Sequence, residues 1–167
     1  LKELEKSEKI EEEMENYIKQ TSLNGIESKM TKYEVLNNSW DKYFEKEPLT
    51  YYVEAETTQD FVENAGNMLI INLGKTIGKQ MNLYQETKRV KPVELGYART
   101  YNHKILFNIP EGYKIESFKD LVIDKKMIRN NESVCSFISK VNIENNQLIV
   151  EVEETYGDIT FSVEEYM

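Results

Sequence analysis

Cys135 and His103 are the only cysteine and the only histidine of the chain, so they form the one pair from which a thiolate and imidazolium couple could be built. Such a couple needs its thiol at an exposed, electropositive position, often a helix N-terminus. Cys135 instead shares the strand parity of Phe137, Val141 and Ile143, which predicts a buried, inert thiol. His103, flanked by Asn102 and Lys104 ahead of Ile105, Phe107 and Ile109, reads as a surface residue at the entry of a strand. One thiol cannot close an intramolecular disulfide or a redox dithiol. One cysteine and one histidine also fall short of the roughly four ligands of a structural zinc site. Cysteine usage leaves cytoplasm and periplasm both open.

Other chemistry-bearing groups fail on spacing. Glu151, Glu153 and Glu154 carry oxygens of the kind calcium takes, but calcium needs about six to eight of them and no calcium-loop pattern is present. Glu151 and Glu153 share the outward face of one strand, which predicts a solvated edge with cross-strand lysine partners. Gly74-Lys75-Thr76-Ile77-Gly78-Lys79-Gln80 follows a strand as a phosphate-binding loop does. Its glycines are separated by three residues instead of four, and Gln80 stands where a magnesium-binding hydroxyl is needed, so an irregular connection is expected. Eleven tyrosines invite a sugar-stacking platform. Tyr51 and Tyr52 point to opposite faces, however, and no stripe of three rings is evident. Tyr52 and Tyr97 remain as candidate surface-binding aromatics. Asn37-Asn38-Ser39 and Asn131-Glu132-Ser133 match the glycosylation triplet, as an Asn-rich chain does by chance. The expectation is a domain with no catalytic, cofactor-binding or metal-ligating residue and no cofactor.

The elements that position these side chains follow from periodicity. Over Leu1 to Gln20, Leu4, Ile10, Met14, Tyr17 and Ile18 recur at three- and four-residue spacing, with Glu5/Lys9 and Glu15/Lys19 as i,i+4 pairs, which predicts an amphipathic helix. Thr21 to Gly25 stops it. The period then changes to two. Strands are predicted over Ile26–Leu36, Leu49–Glu56, Asn67–Leu73, Val93–Ile109, Leu121–Ile128, Cys135–Ile143 and Leu148–Val152. Pro110-Glu111-Gly112 suits a type I turn with Pro second and Gly fourth, Asn145-Asn146 a two-residue hairpin, and Tyr156-Gly157-Asp158 a reversal. Ser162-Val163-Glu164-Glu165 has capping-box spacing. This pattern predicts a mainly β fold: an antiparallel β-sandwich of about seven to nine strands behind an N-terminal amphipathic helix. Residues 1–24 would be the helix and lead-in and 25–167 the sandwich, a single domain overall.

With 167 residues, 31% of them charged, and only three prolines and seven glycines, the chain is neither collagen-like nor disordered. No apolar run nears the ~20 residues of a membrane span, and the charged first twenty residues do not read as a signal peptide. A start at Leu1 reads as a fragment or a processed product. The net charge of -9 and the lack of a basic stripe argue against nucleic acid and anionic membranes as partners.

Five patterns go further. Glu47-Pro48-Leu49, Ala65-Gly66-Asn67-Met68-Leu69, Arg89-Val90-Lys91-Pro92-Val93, Ile109-Pro110-Glu111-Gly112-Tyr113 and Ser162-Val163-Glu164-Glu165-Tyr166, in this order, resemble the C-terminal β-rich domain of unknown function of bacterial multidomain transglutaminase-like proteins. The resemblance covers about Pro48 to Met167. It implies a non-catalytic accessory domain that follows a papain-like Cys-His-Asp core in a larger exported bacterial protein, periplasmic or secreted. It carries over no catalytic residue, because Cys135 and His103 come in the reverse order of that triad. The implied partners are the upstream core of the same polypeptide and a protein or peptide substrate, met through strand edges or aromatics such as Tyr52 and Tyr97. An independent carbohydrate-binding module is the alternative.

Overall fold

A computed structural model describes residue 16 and residues 28–37, 39–57, 61–77, 86–88 and 90–166. The expected first helix and the boundary after residue 24 lie outside the described residues, apart from Asn16, which is helical. The chain divides into two compact units, Leu1–Met81 and Asn82–Met167.

In the first unit, β1 (Ser28–Leu36) and β2 (Thr50–Thr57) pair antiparallel from Ser28/Thr57 to Leu36/Thr50, with a bulge between Met30 and Lys32. Their connection holds a five-residue helix, α1 (Trp40–Phe44), that the sequence reading did not predict. The loop is closed by Asn37, which adopts a φ of 59° and donates from Nδ2 to the Pro48 carbonyl at 3.1 Å. A second hairpin joins β3 (Val62–Ala65) to β4 (Met68–Ile71), and Asn72 Nδ2 ties back to Glu63 Oε1 at 2.9 Å. A 3-10 turn over Leu73–Ile77 follows, with the Thr76 hydroxyl donating to the Leu73 carbonyl at 2.7 Å. That hydroxyl serves its own turn, as the irregular-connection reading expects. Among the described residues of this unit, only Leu73 and Ser28 are buried.

The second unit is built on a four-stranded antiparallel sheet. It contains β5 (Val93–Glu94), β6 (Arg99–Asn108), β7 (Ile123–Arg129), β8 (Glu132–Glu144), β9 (Gln147–Tyr156) and β10 (Thr160–Phe161). The strand order in the sheet is β6-β9-β8-β7, and β5 pairs with β10 in a separate two-stranded ribbon. The hairpins turn on asparagine pairs. Asn130-Asn131 and Asn145-Asn146 all have φ between 49° and 65°, the conformation that a two-residue turn matching the strand twist requires at both central positions. Asparagine tolerates it because its short amide can bond locally. The hairpin expected at Asn145-Asn146 is present, and a second one stands at Asn130-Asn131, where the sequence suggests only a glycosylation triplet.

The core follows the parity of β9. Leu148, Val150 and Val152 are buried, while Glu151 and Glu153 on the other face are exposed. Val93, Leu95 and Phe161 form a cluster that packs on Met127, Val134, Cys135 and Tyr156 at one end of the sheet. The β5/β10 ribbon is thus a small second layer, and the fold is mainly β, antiparallel and sandwich-like. Ten strands are present among the described residues, against the seven to nine expected; the two-residue β5 and β10 account for the surplus. The predicted Val93–Ile109 strand is broken, since Gly96 at a φ of 50° turns the chain between β5 and β6. At the Pro-Glu-Gly segment, Tyr113 N–H bonds to the Pro110 carbonyl at 3.1 Å with Gly112 at a φ of 82°. The turn is one residue later than expected, because glycine accepts a positive φ at the third position without cost, as a type II turn needs.

Candidate functional site

The register of the sheet decides which reactive side chains meet. Reading across β6, β9, β8 and β7 on the core face, Arg99 lies beside Tyr156, Cys135 and Met127; Tyr101 beside Glu154, Phe137 and Lys125; and His103 beside Val152, Ser139 and Ile123. Cys135 and His103 therefore share a face. They are separated by two strand spacings and by four residues along the strand, on the order of 15 Å. His103 is in the interior of β6, half-buried, and not at a strand entry, because β6 begins at Arg99, four residues before His103 and six before the apolar run from Ile105. Ser139, buried in the same row as His103, has β9 between them.

What His103 meets is Glu154. Its Nε2 is 3.7 Å from Glu154 Oε1, the Tyr156 hydroxyl donates to Glu154 Oε2 at 3.3 Å, and the Tyr101 ring stacks on the imidazole. Glu154 is only 2% exposed, although it follows Glu151 and Glu153 in sequence. Strand parity separates it from Glu153, and the expectation that grouped the three carboxylates gives way to two solvated and one buried. Burial, reinforced by the Glu154 charge, pushes the Tyr156 phenol above its ordinary value. Arg99 lies over the rings of Tyr97, Tyr101 and Tyr156, with its guanidinium carbon 4.8 Å from the Tyr156 centroid, a cation-π stack at the border of the same cluster.

Cys135 sits at the other end of this face, beneath the segment that leads to β10. The Gly157 and Asp158 N–H groups donate to the Val134 carbonyl at 2.8 and 3.2 Å. Burial raises the thiol pKa, against the opposing pull of the Asp158 and Gly157 backbone groups. Cys135 is half-buried, where its strand parity predicts full burial, and the upward shift is opposite in direction to the one a reactive cysteine needs.

Beside it, Arg129 at the end of β7 gathers the C-terminal segment. Its Nε and Nη2 hold Glu165 Oε1 and Oε2 at 2.8 and 3.0 Å, Nη2 also reaches the Thr160 carbonyl at 3.1 Å, and Nη1 pairs with Asp158. The guanidinium lies over the Phe161 ring. Glu165 accepts from the Ser162 N–H at 2.7 Å, the reciprocal half of the capping box that the sequence predicts, and a short 3-10 turn over Glu164–Tyr166 follows. The Ser162 N–H and Arg129 hold Glu165 below the usual carboxylate range, the Ile159 and Thr160 N–H groups do the same for Asp158, and Glu165 foremost raises Arg129. An arginine between Ile128 and Asn130 at the end of β7 gave no sequence signal for this convergence.

The opposite, wet face of the sheet carries an open depression of 370 Å³ lined by Asn102, Lys104, Lys140, Glu151 and Glu153. Lys104 Nζ is 3.3 Å from Glu151 Oε1, the cross-strand lysine partner expected for that carboxylate. The candidate aromatics belong to different units. Tyr52, on β2, is exposed, donates to Glu54 Oε1 at 2.7 Å and carries Lys32 over its ring. Tyr97, in the loop before β6, is exposed with Arg99 over its ring. Sequence reasoning missed a denser aromatic group: Trp40 and Phe44 on α1 are 69% and 77% exposed and meet the intervening Tyr43 edge-on, at 6.1 and 5.7 Å. Short helical spacing between two strands was the available signal. Among the described residues, no three His, Cys, Asp or Glu side chains cluster as a metal site would require.

Residues 67–167, more than half of the chain, match a family described as a domain of unknown function, DUF3858. The chain belongs to this family. The match takes in β4 and the whole sheet of the second unit, so the buried Glu154 cluster and the Arg129 network both lie within it, and α1 lies outside. Neither curated proteins nor solved structures gave a match.

Proposed function

We propose that this chain is a non-catalytic accessory domain that docks onto another polypeptide domain, namely a transglutaminase-like core preceding it in a larger exported protein. The observation that carries the docking reading is the α1 surface. Trp40, Tyr43 and Phe44 present three adjoining rings to solvent, and Leu36 at the end of β1 and Leu49 just before β2 are exposed as well. A contiguous apolar surface of this kind marks an interaction site more often than a scattered single residue does, and buried aromatic anchors dominate protein interfaces. The separation of Cys135 from His103 supports the non-catalytic part, since a nucleophile and its base must come within hydrogen-bond reach. The transglutaminase neighbour and the exported setting rest on the sequence resemblance.

The test is calorimetric titration of this chain with a separately produced transglutaminase-like core, repeated with Trp40→Ser. Saturable binding weakened about tenfold or more by the substitution is the expected result. No binding to the core, or saturable binding to an oligosaccharide abolished by Tyr97→Ala or Tyr52→Ala, overturns the reading in favour of a sugar-binding module. Acyl transfer or hydrolysis by the chain alone that vanishes in Cys135→Ala overturns the non-catalytic part.

A further inference from the structure

The way the C-terminal segment is attached differs from the way the sheet is built. The sheet strands β6, β8 and β9 are joined by ladders of ten residue pairs each, from Arg99/Tyr156 to Asn108/Gln147 and from Cys135/Tyr156 to Glu144/Gln147. By contrast, β10 is joined to β5 by two pairs, Thr160/Glu94 and Phe161/Val93, extended by the Leu95 N–H to Ile159 carbonyl bond at 2.8 Å. Where the segment leaves β9, the Gly157 and Asp158 N–H groups share the Val134 carbonyl, and the rest of the attachment is made by side chains: Phe161, 1% exposed, set among Val93, Leu95 and the sheet, and Arg129, which reaches Asp158, Thr160 and Glu165 from β7. Segments held by few backbone bonds and a few tertiary contacts open at lower free energy than the ladders they lie on.

We propose that residues 157–166 form a strap that opens and closes as a unit over the Met127–Cys135 end of an intact sheet, with Phe161 as its plug and Arg129 as its buckle. Opening strips the remaining cover from the half-buried Met127, Val134, Cys135 and Tyr156, so the strap sets how much of this end of the sheet is displayed. Gly157 is the hinge point against the sheet. A Cβ built there meets the Val134 carbonyl oxygen at 3.2 Å, so the closed strap needs the close backbone approach that glycine permits.

Cys135, as the sole thiol, reports the opening without a label being engineered. Its modification by an aromatic disulfide reagent is timed in the intact chain, in Arg129→Met and in Arg129→Lys, with amide exchange followed in parallel. The expected result is that Arg129→Met speeds labelling by about tenfold or more while the Val150 and Val152 amides exchange as before. Arg129→Lys falls between, because a point charge cannot hold Glu165 through two parallel bonds and still reach Asp158. Should Arg129→Met also loosen the sheet, Glu165→Gln takes its place, with a smaller acceleration expected at unchanged Val150 exchange. Labelling at one rate in the intact chain and in every variant, or labelling that rises only in step with Val150 exchange, overturns the proposal.

Discussion

Glu154 and Arg129 show how one charged side chain can organise its surroundings in two different ways. Glu154 is withdrawn from water into the core face and has the Tyr156 hydroxyl and the half-buried His103 for company. A carboxylate so placed is stabilising only relative to its own removal, because truncation leaves its partners facing a gap. Glu154→Ala is therefore expected to lower unfolding stability by about 2–4 kcal/mol in a urea titration, whereas Glu153→Ala on the solvated face changes it by less than about 0.5 kcal/mol. Around Arg129 the carboxylates remain at the surface and are tuned by backbone donors as well as by the guanidinium. Asp158 and Glu165 have lowered pKa values in the folded state. Their contribution is then complete above the unfolded carboxylate values of about 4 and is lost as pH falls through the lower folded values. Thermal unfolding followed from neutral pH into acid should show stability falling below about pH 5, with a shallower fall in Asp158→Asn, whose amide oxygen still accepts from Ile159.

Among the elements, the two asparagine hairpins set the register of β7, β8 and β9, and so place Glu154 and Cys135 on the core face. A one-residue slip would send both to water. Asn131→Val puts a β-branched side chain at a φ of 65° and should cost about 1–2 kcal/mol in chemical denaturation, with the sheet otherwise retained. The same residue type was legible at Asn145-Asn146 because hydrophobic runs flank it on both sides. At Asn130-Asn131 the bulge between Met127 and Ile128 shifts the alternation and hides the hairpin. Short elements were the least legible. Strand β10 has two residues, too few for any period, and β3 alternates too weakly to separate from its loop. The long strands β6 and β9 stood out because a drier and a wetter face alternate along much of their length.

At the level of the whole chain, the two units differ in how much they bury. The second holds the Leu148, Val150, Val152 row and the Val93, Leu95, Phe161 cluster, whereas the described part of the first buries Leu73 and Ser28. Two-stranded hairpins are marginal without a packed face. Amide exchange of the intact chain should accordingly show β1 and β2 exchanging by orders of magnitude faster than β8 and β9; equal protection would mean that the first unit is as firmly held as the sheet. Composition and alternation alone determined that the chain is mainly β and antiparallel, that it has a single thiol and a single imidazole, and that its closing residues carry a capping box. These are local properties, written in residue type and in a spacing of two. Only the tertiary structure decided which charged groups meet. The distance between Cys135 and His103, the burial of Glu154 and the gathering of Asp158, Thr160 and Glu165 by Arg129 depend on strand order and register, which bring together residues far apart in the chain and leave no local period to read.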